Sequence, residues 1–166
     1  MDTKTFCNKW LSFGWVIVLG RLEDKALAFA AEKHKDQLDD QGRPYFFAHI
    51  VQVHGLLNEV TDNEEVLCAG LLHDTIEDTD TTYDDLVHEF NREIADLVLE
   101  LTHAGDRETG FYFPKLYSRK AIVIKFADRL SNLTRMVDWP GDWQQDYLNS
   151  STFWHKKPWK KKKDTK

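Results

Sequence analysis

Apolar residues between Leu22 and Leu38 fall at Leu22, Ala26, Phe29 and Ala30, the three-and-four spacing of a helix with one buried face. A Gly42-Arg43-Pro44 turn follows, and a second helical stripe runs from Phe47 to Val60. Asp62 or Asn63 can cap a third helix, which carries Val66, Gly70 and His73 on one line. Thr82 with Asp85 makes a capping-box start for a short fourth helix. Asn91 can cap a fifth, whose core face is Ile94, Leu97, Val98 and Leu101. Beyond the glycine-, aromatic- and charge-rich stretch 104–114, a longer helix is predicted from about Lys115 to Val137. Its Ala121-Ile122-Val123-Ile124 run could form a strand in isolation, but Asp128, Asn132 and Arg135 continue the helical spacing from Ile124. Pro140-Gly141 marks the stop, and a last helix is predicted over Asp142 to Phe153. No neighbouring runs alternate across hairpin turns, so the expected fold class is all-α, a single helical bundle.

Length and charge refine this picture. The 166 residues suffice for one packed domain, and no internal repeat or Gly/Ser linker offers a boundary. The expected organisation is an N-terminal extension (1–21) packed on the domain, a helical domain (22–153) and a lysine-rich, disordered tail (154–166). The apolar Trp10–Leu19 run lacks a cleavage site, is too short to span a bilayer, and reads as a packed element. The net charge of −6 splits into +6 for residues 156–166 and −12 for residues 1–155. A net-acidic body argues against a nucleic-acid surface and leaves the lysine run as a solvated tail. Cys7 and Cys68 are far apart, and Cys68 falls in an apolar helical pattern, which suits a reducing compartment and a cytoplasmic protein.

The chemistry concentrates in Leu71-Leu72-His73-Asp74-Thr75-Ile76-Glu77-Asp78-Thr79. If the third helix persists, Val66, Gly70, His73 and Glu77 form one stripe and Leu67, Leu71, Asp74 and Asp78 the next. Two apolar rows thus end in two pairs of polar groups, which are costly to place there without partners. Imidazole with carboxylate suits a divalent cation such as Mn²⁺, Fe²⁺, Zn²⁺ or Co²⁺. A further pair of acids suits water activation, because like charges in a confined site raise one pKa. His49 lies 24 residues upstream, and Asp128 is a mid-helix acid among Ile122, Val123, Ile124 and Phe126. By contrast His54, His88 and His103 lack partners at ligand spacing and read as surface or structural residues, and His34 as a supporting residue.

His49, His73-Asp74 and Asp128 follow the order of the H…HD…D signature of the HD superfamily, which the chain resembles. Within it the chain is similar to the hydrolase domain of the RelA/SpoT family. The similarity rests on His34-Lys35-Asp36-Gln37, Gly42-Arg43-Pro44-Tyr45, Ala69 to Thr79, and Lys125-Phe126-Ala127-Asp128-Arg129-Leu130-Ser131-Asn132-Leu133. The resemblance implies hydrolysis of the 3′-pyrophosphate of (p)ppGpp, giving GDP or GTP and pyrophosphate, usually with Mn²⁺. It implies His49, His73, Asp74 and Asp128 as metal ligands, Glu77 and Asp78 as the acids that orient or deprotonate water, and Asn132 as a nucleotide contact. Arg43, Tyr45, Lys125 and Arg129 are further candidate substrate contacts. The expected partner is a small-molecule nucleotide, with no nucleic acid or membrane, and a homo-oligomer stays open.

Two departures bear on substrate. Asp39-Asp40-Gln41 stand where the family often carries a basic residue, with Arg43 as the nearest substitute. The stretch from His73 to Asp128 is also shorter than usual. The alternatives are an HD phosphatase for another nucleotide, such as a deoxynucleotide or NADPH, and a catalytically silent module that binds an alarmone or a partner protein.

Overall fold

The computed structural model describes residues 21–103 and 116–150, which build a helical bundle with no strand among the described residues. In order these are α1 (Leu22–Lys33), a π-helical turn (Phe46–Ile50) that runs directly into α2 (Val51–Asn58), α3 (Glu64–Leu72) and the single turn α4 (Thr75–Asp78). Then come α5 (Tyr83–Glu89), α6 (Arg92–Leu101), α7 (Arg119–Arg135), a 3-10 turn (Met136–Asp138) and α8 (Gly141–Ser150). The Trp10–Leu19 element, the 104–114 stretch and the lysine tail lie outside the described residues, as do Trp154, Trp159 and the expected end of the last helix at Phe153. No helix among the described residues is long and apolar enough to cross a membrane.

The bundle is organised around α3. Every residue from Val66 to Leu72 is buried, because α1, α2, α6 and α7 all pack against this one helix. A helix that is apolar all round has to be enclosed in this way. Asn63 starts it, its side chain accepting the Val66 N–H at 3.0 Å. The neighbouring Glu64 takes the Leu22 N–H at 3.0 Å, which joins the beginning of α1 to the beginning of α3. Thr82 with Asp85 closes a reciprocal capping box on α5, and Asn91 and Ser118 cap α6 and α7.

Two boundaries depart from the sequence expectation. The third helix does not persist to Glu77; it ends at Leu72 and the chain restarts at Thr75. His73 Nδ1–H donates to the Gly70 carbonyl at 2.9 Å, and Thr75 Oγ1–H donates to the Leu72 carbonyl at 2.7 Å. Side chains thus satisfy carbonyls that the next helical turn would have used. The long helix begins at Arg119 rather than near Lys115, where Ser118 accepts the Ala121 N–H at 3.0 Å.

Between α1 and the π-helical turn, a short antiparallel bridge pairs Leu38 with Pro44. Asp39 builds the turn: its Oδ1 accepts the N–H groups of Gln41 and Arg43 at 3.0 and 2.8 Å. Gly42 completes it at φ +73°, a left-handed conformation that glycine adopts without strain.

Close packing between α2 and α3 gives an opposed pair of expectations. A Cβ at Gly70 would stand 2.2 Å from Leu57 Cδ1, whereas Gly55 on α2 faces open space. Gly70→Ala should therefore cost about 1–3 kcal/mol in urea unfolding followed by circular dichroism. Gly55→Ala should gain about 0.5–1 kcal/mol in the same measurement. Equal effects of one sign would contradict this packing.

Candidate metal centre

Two imidazoles converge at the end of α3. His73 leaves the helix with its Nδ1–H on the Gly70 carbonyl, so in the neutral ring Nε2 carries the lone pair. His49, on the π-helical turn, places Nδ1 2.9 Å from Ser131 Oγ of α7. Ser131 gives its own hydroxyl hydrogen to Gln52 Oε1 at 3.3 Å, so its oxygen is the acceptor for His49. Both rings then turn Nε2 towards one another, 3.2 Å apart and buried.

Carboxylates close the set. Asp74 Oδ2 lies 3.1 Å from His73 Nε2 and 3.4 Å from His49 Nε2, and the Tyr45 hydroxyl donates to it at 2.6 Å. Asp128 Oδ1 lies 3.5 Å from His49 Nε2. Asn132 Nδ2 donates to Asp128 Oδ1 at 2.7 Å, and Lys125 Nζ sits 2.8 Å from Oδ2. The structure thus brings together all four expected ligand residues. His49, His73 and Asp74 offer ligand atoms within 4.8 Å of one another, with Asp128 beside them. Facing imidazole nitrogens with carboxylates at this spacing fit a divalent cation, and the bonds at each Nδ1 are the supports such ligands need.

Electrostatics agree with that use. Burial alone would raise the Asp74 carboxyl, but the charge of His73 and the hydrogen bonds from both histidines hold it well below the usual range. For His73, burial works downward, yet the Asp74 charge and hydrogen bond win and push it up to about 9. Burial dominates at His49, whose imidazole falls below its ordinary value despite Asp74.

The second acidic pair is divided by its neighbours. Burial raises the Glu77 carboxyl, but His103 outweighs it by bonding through both its ring and its backbone N–H, and Glu77 ends below its ordinary value. Asp78 goes the other way, raised by burial and then by the charge of Asp74. Gln37 donates to Asp78 Oδ2 at 2.9 Å, and His34 Nδ1 is in turn 2.5 Å from Gln37 Oε1.

The candidate substrate contacts separate into different roles. Arg43 folds back on Asp39 Oδ2 through Nε and a terminal nitrogen, at 2.8 and 2.7 Å. Burial would raise Asp39, but these bonds hold it below its ordinary value. Tyr45 lies between the His34 and His49 rings, at 5.6 and 5.2 Å, with its hydroxyl on Asp74. Lys125 and Asn132 both hold Asp128, and the Arg129 guanidinium lies 4.9 Å from the Tyr147 ring.

Sequence reasoning missed Ser131, Gln52, His103 and Arg135. Arg135 is buried, lies 5.6 Å from the Tyr45 ring centre, donates to Asn132 Oδ1 and reaches within 3.7 Å of Asp39. The three-residue step from Asn132 to Arg135 was a readable signal, since i,i+3 residues on a helix meet. The His103–Glu77 contact had none, because 26 residues separate the pair.

A family model described as "HD domain" matches residues 26–110. The guanosine-3′,5′-bis(diphosphate) 3′-pyrophosphohydrolase MESH1 of Drosophila melanogaster is 34% identical over 145 residues, covering 80% of each chain. The guanosine-3′,5′-bis(diphosphate) 3′-pyrophosphohydrolase of Aquifex aeolicus is 37% identical over 118 residues. That match takes in 66% of this chain, which spans only 17% of the bacterial protein's length. Among solved structures, that of a metazoan ortholog of SpoT, described as hydrolysing ppGpp, matches with a TM-score of 0.66 and 27% identity. It covers 79% of this chain and 82% of that one.

A cation entering this centre has to displace the proton that His73 holds below a pH of about 9. At pH 7.5 loading with a divalent metal should release about one proton, read by titration calorimetry in buffers of different ionisation enthalpy. The release should fade as the pH rises through 9, where His73 has already lost its proton. Buffer-independent heats at pH 7.5 would contradict the His73–Asp74 pairing.

Proposed function

The chain belongs to the HD-domain family, and from that premise we propose that it is a metal-dependent hydrolase of the 3′-pyrophosphate of (p)ppGpp. The observation that carries this reading is the meeting of the His49 and His73 Nε2 atoms, 3.2 Å apart, with Asp74 against both and the Glu77–Asp78 pair one helical turn further on. The names of the relatives support the substrate. His49, His73, Asp74 and Asp128 would hold the metal, Mn²⁺ being the ion that the family resemblance implies, while two imidazoles and two carboxylates equally suit Zn²⁺, Fe²⁺ or Co²⁺. When bound, such an ion supplies charge neutralisation at the phosphoryl oxygens and a water made more acidic.

The protein's own groups divide the remaining work. Asp78, raised by burial and oriented by Gln37, takes a proton from the attacking water, whose oxygen bonds to the phosphorus carried by the ribose 3′ oxygen. The bond from that phosphorus to the 3′ oxygen breaks, the 3′ oxygen leaves with the proton that Asp78 took from the water, and GDP or GTP and pyrophosphate are the products. Glu77, kept anionic by His103, orients the same water through an accepted hydrogen bond. Lys125 and Asn132 fix Asp128. Arg135, beside Tyr45, stands in for the basic residue missing before Gly42 and takes the substrate's negative charge.

One observation favours a second substrate. Arg43 is bonded twice to Asp39, so the turn offers no separate cation, and an HD phosphatase for a deoxynucleotide or NADPH would need less positive charge.

Purified protein with Mn²⁺ should release pyrophosphate from ppGpp, and EDTA should abolish the release. Asp78→Asn and Glu77→Gln should each lower kcat by about 10²–10⁴-fold while thermal unfolding stays close to wild type. Phosphate from another nucleotide, with no pyrophosphate from ppGpp, would replace the alarmone reading. Hydrolysis unaffected by either substitution would remove the acidic pair from the mechanism.

A further inference from the structure

Away from the metal centre, a groove of about 790 Å³ runs between the α2–α3 junction and α7. Leu56, Val60, Val66, Val123, Leu130 and Leu133 supply its apolar lining. Val60 is 68% exposed and Leu130 48%, high values for large aliphatic side chains that stand together rather than singly. The rim is mixed in charge: Arg119, Lys120 and Arg129 border it together with Glu59, and Lys120 is bonded to Glu93 and lies 3.7 Å from Glu65.

We infer that this groove is the seat of the chain's own segment Trp10–Leu19. The described chain sets out from its edge: the Leu22 N–H is bonded to Glu64, and Asn63 and Val66 on either side of Glu64 both line the groove. Only Gly20 and Arg21 separate Leu22 from the apolar run, so the run reaches the groove without a long tether. Ten residues cover about 15 Å as a helix and about 33 Å extended, enough to follow the cleft in either form. The run Trp10-Leu11-Ser12-Phe13-Gly14-Trp15-Val16-Ile17-Val18-Leu19 carries no charge and places apolar side chains where water now meets Val60 and Leu130.

The opposite end of the chain does not suit an apolar lining. The segment 156–166 carries seven lysines, and only Pro158 and Trp159 offer it apolar side chains.

Cys7 provides the probe, three residues ahead of Trp10, while Cys68 is buried with its thiol pushed up to about 12 and should stay unlabelled. A nitroxide on Cys7 of the full chain should weaken the methyl signals of Val60, Val123 and Leu130 and leave those of Leu86 and Ile94 intact. In a mixture of spin-labelled, unenriched protein with methyl-enriched, unlabelled protein, the groove signals should keep full intensity. Leu130→Asp, at an exposed site, should remove the effect while the rest of the spectrum persists. Undiminished groove methyls in the labelled chain would overturn the inference. Loss that appears equally in the mixture would assign the groove to a second copy.

Discussion

The constraint on which this molecule depends is the enclosure of α3. Seven consecutive residues, Val66 to Leu72, are out of water on every side, and four helices exist in their observed places because they cover them. A helix so enclosed cannot slide or rotate without emptying contacts around its whole circumference. Its last carbonyls are therefore fixed points, and His73 takes its orientation from one of them, the Gly70 oxygen. The metal centre inherits its precision from an apolar core. Chemistry needs polar groups held to fractions of an ångström, and here the holding is done by Leu, Val and Ala.

From that anchor the polar groups form two branches. One passes from His49 through Ser131 to Gln52 and ties the π-helical turn to α7 and α2. The other passes from Asp78 through Gln37 to His34 and ties α4 to the end of α1. The first branch fixes a lone pair on His49, and the second holds the Asp78 carboxylate. Two acids adjacent in sequence acquire opposite tendencies because His103 answers Glu77 while Asp74 opposes Asp78. Environment, not residue type, sets the two carboxyls apart.

Much of this was legible in the sequence, and the limit has a physical cause. Helix starts at Asn63, Thr82 and Asn91 could be read because a cap acts within three residues. The all-α class followed from periodicity, and the four candidate ligands from their order along the chain. What stayed hidden were bonds between distant residues: Ser131 to His49 across 82 positions, His103 to Glu77 across 26. The Asp39 turn was hidden in another way. Its acids stood out as a departure from a family pattern, but that Asp39 gathers two backbone N–H groups and the Arg43 guanidinium is a fact of three-dimensional closure. The break after Leu72 was unreadable because side-chain hydrogen bonds, not a helix-breaking residue, end the helix.

The π-helical turn at Phe46–Ile50 leaves one more consequence. Such a turn carries an added residue relative to the α-helix, so it works as a phase shifter between the Asp39 turn and α2. Removing one residue there would restore ordinary winding and swing whatever precedes α2 by about 100° around the axis. Were that residue Ile50, between His49 and α2, His49 would leave Ser131 and His73 together. Phe46, buried in the core on the same turn, would move with it, so the site and the packing depend on one count of residues. The length of this five-residue stretch thus aims His49 as surely as residue identity supplies its imidazole.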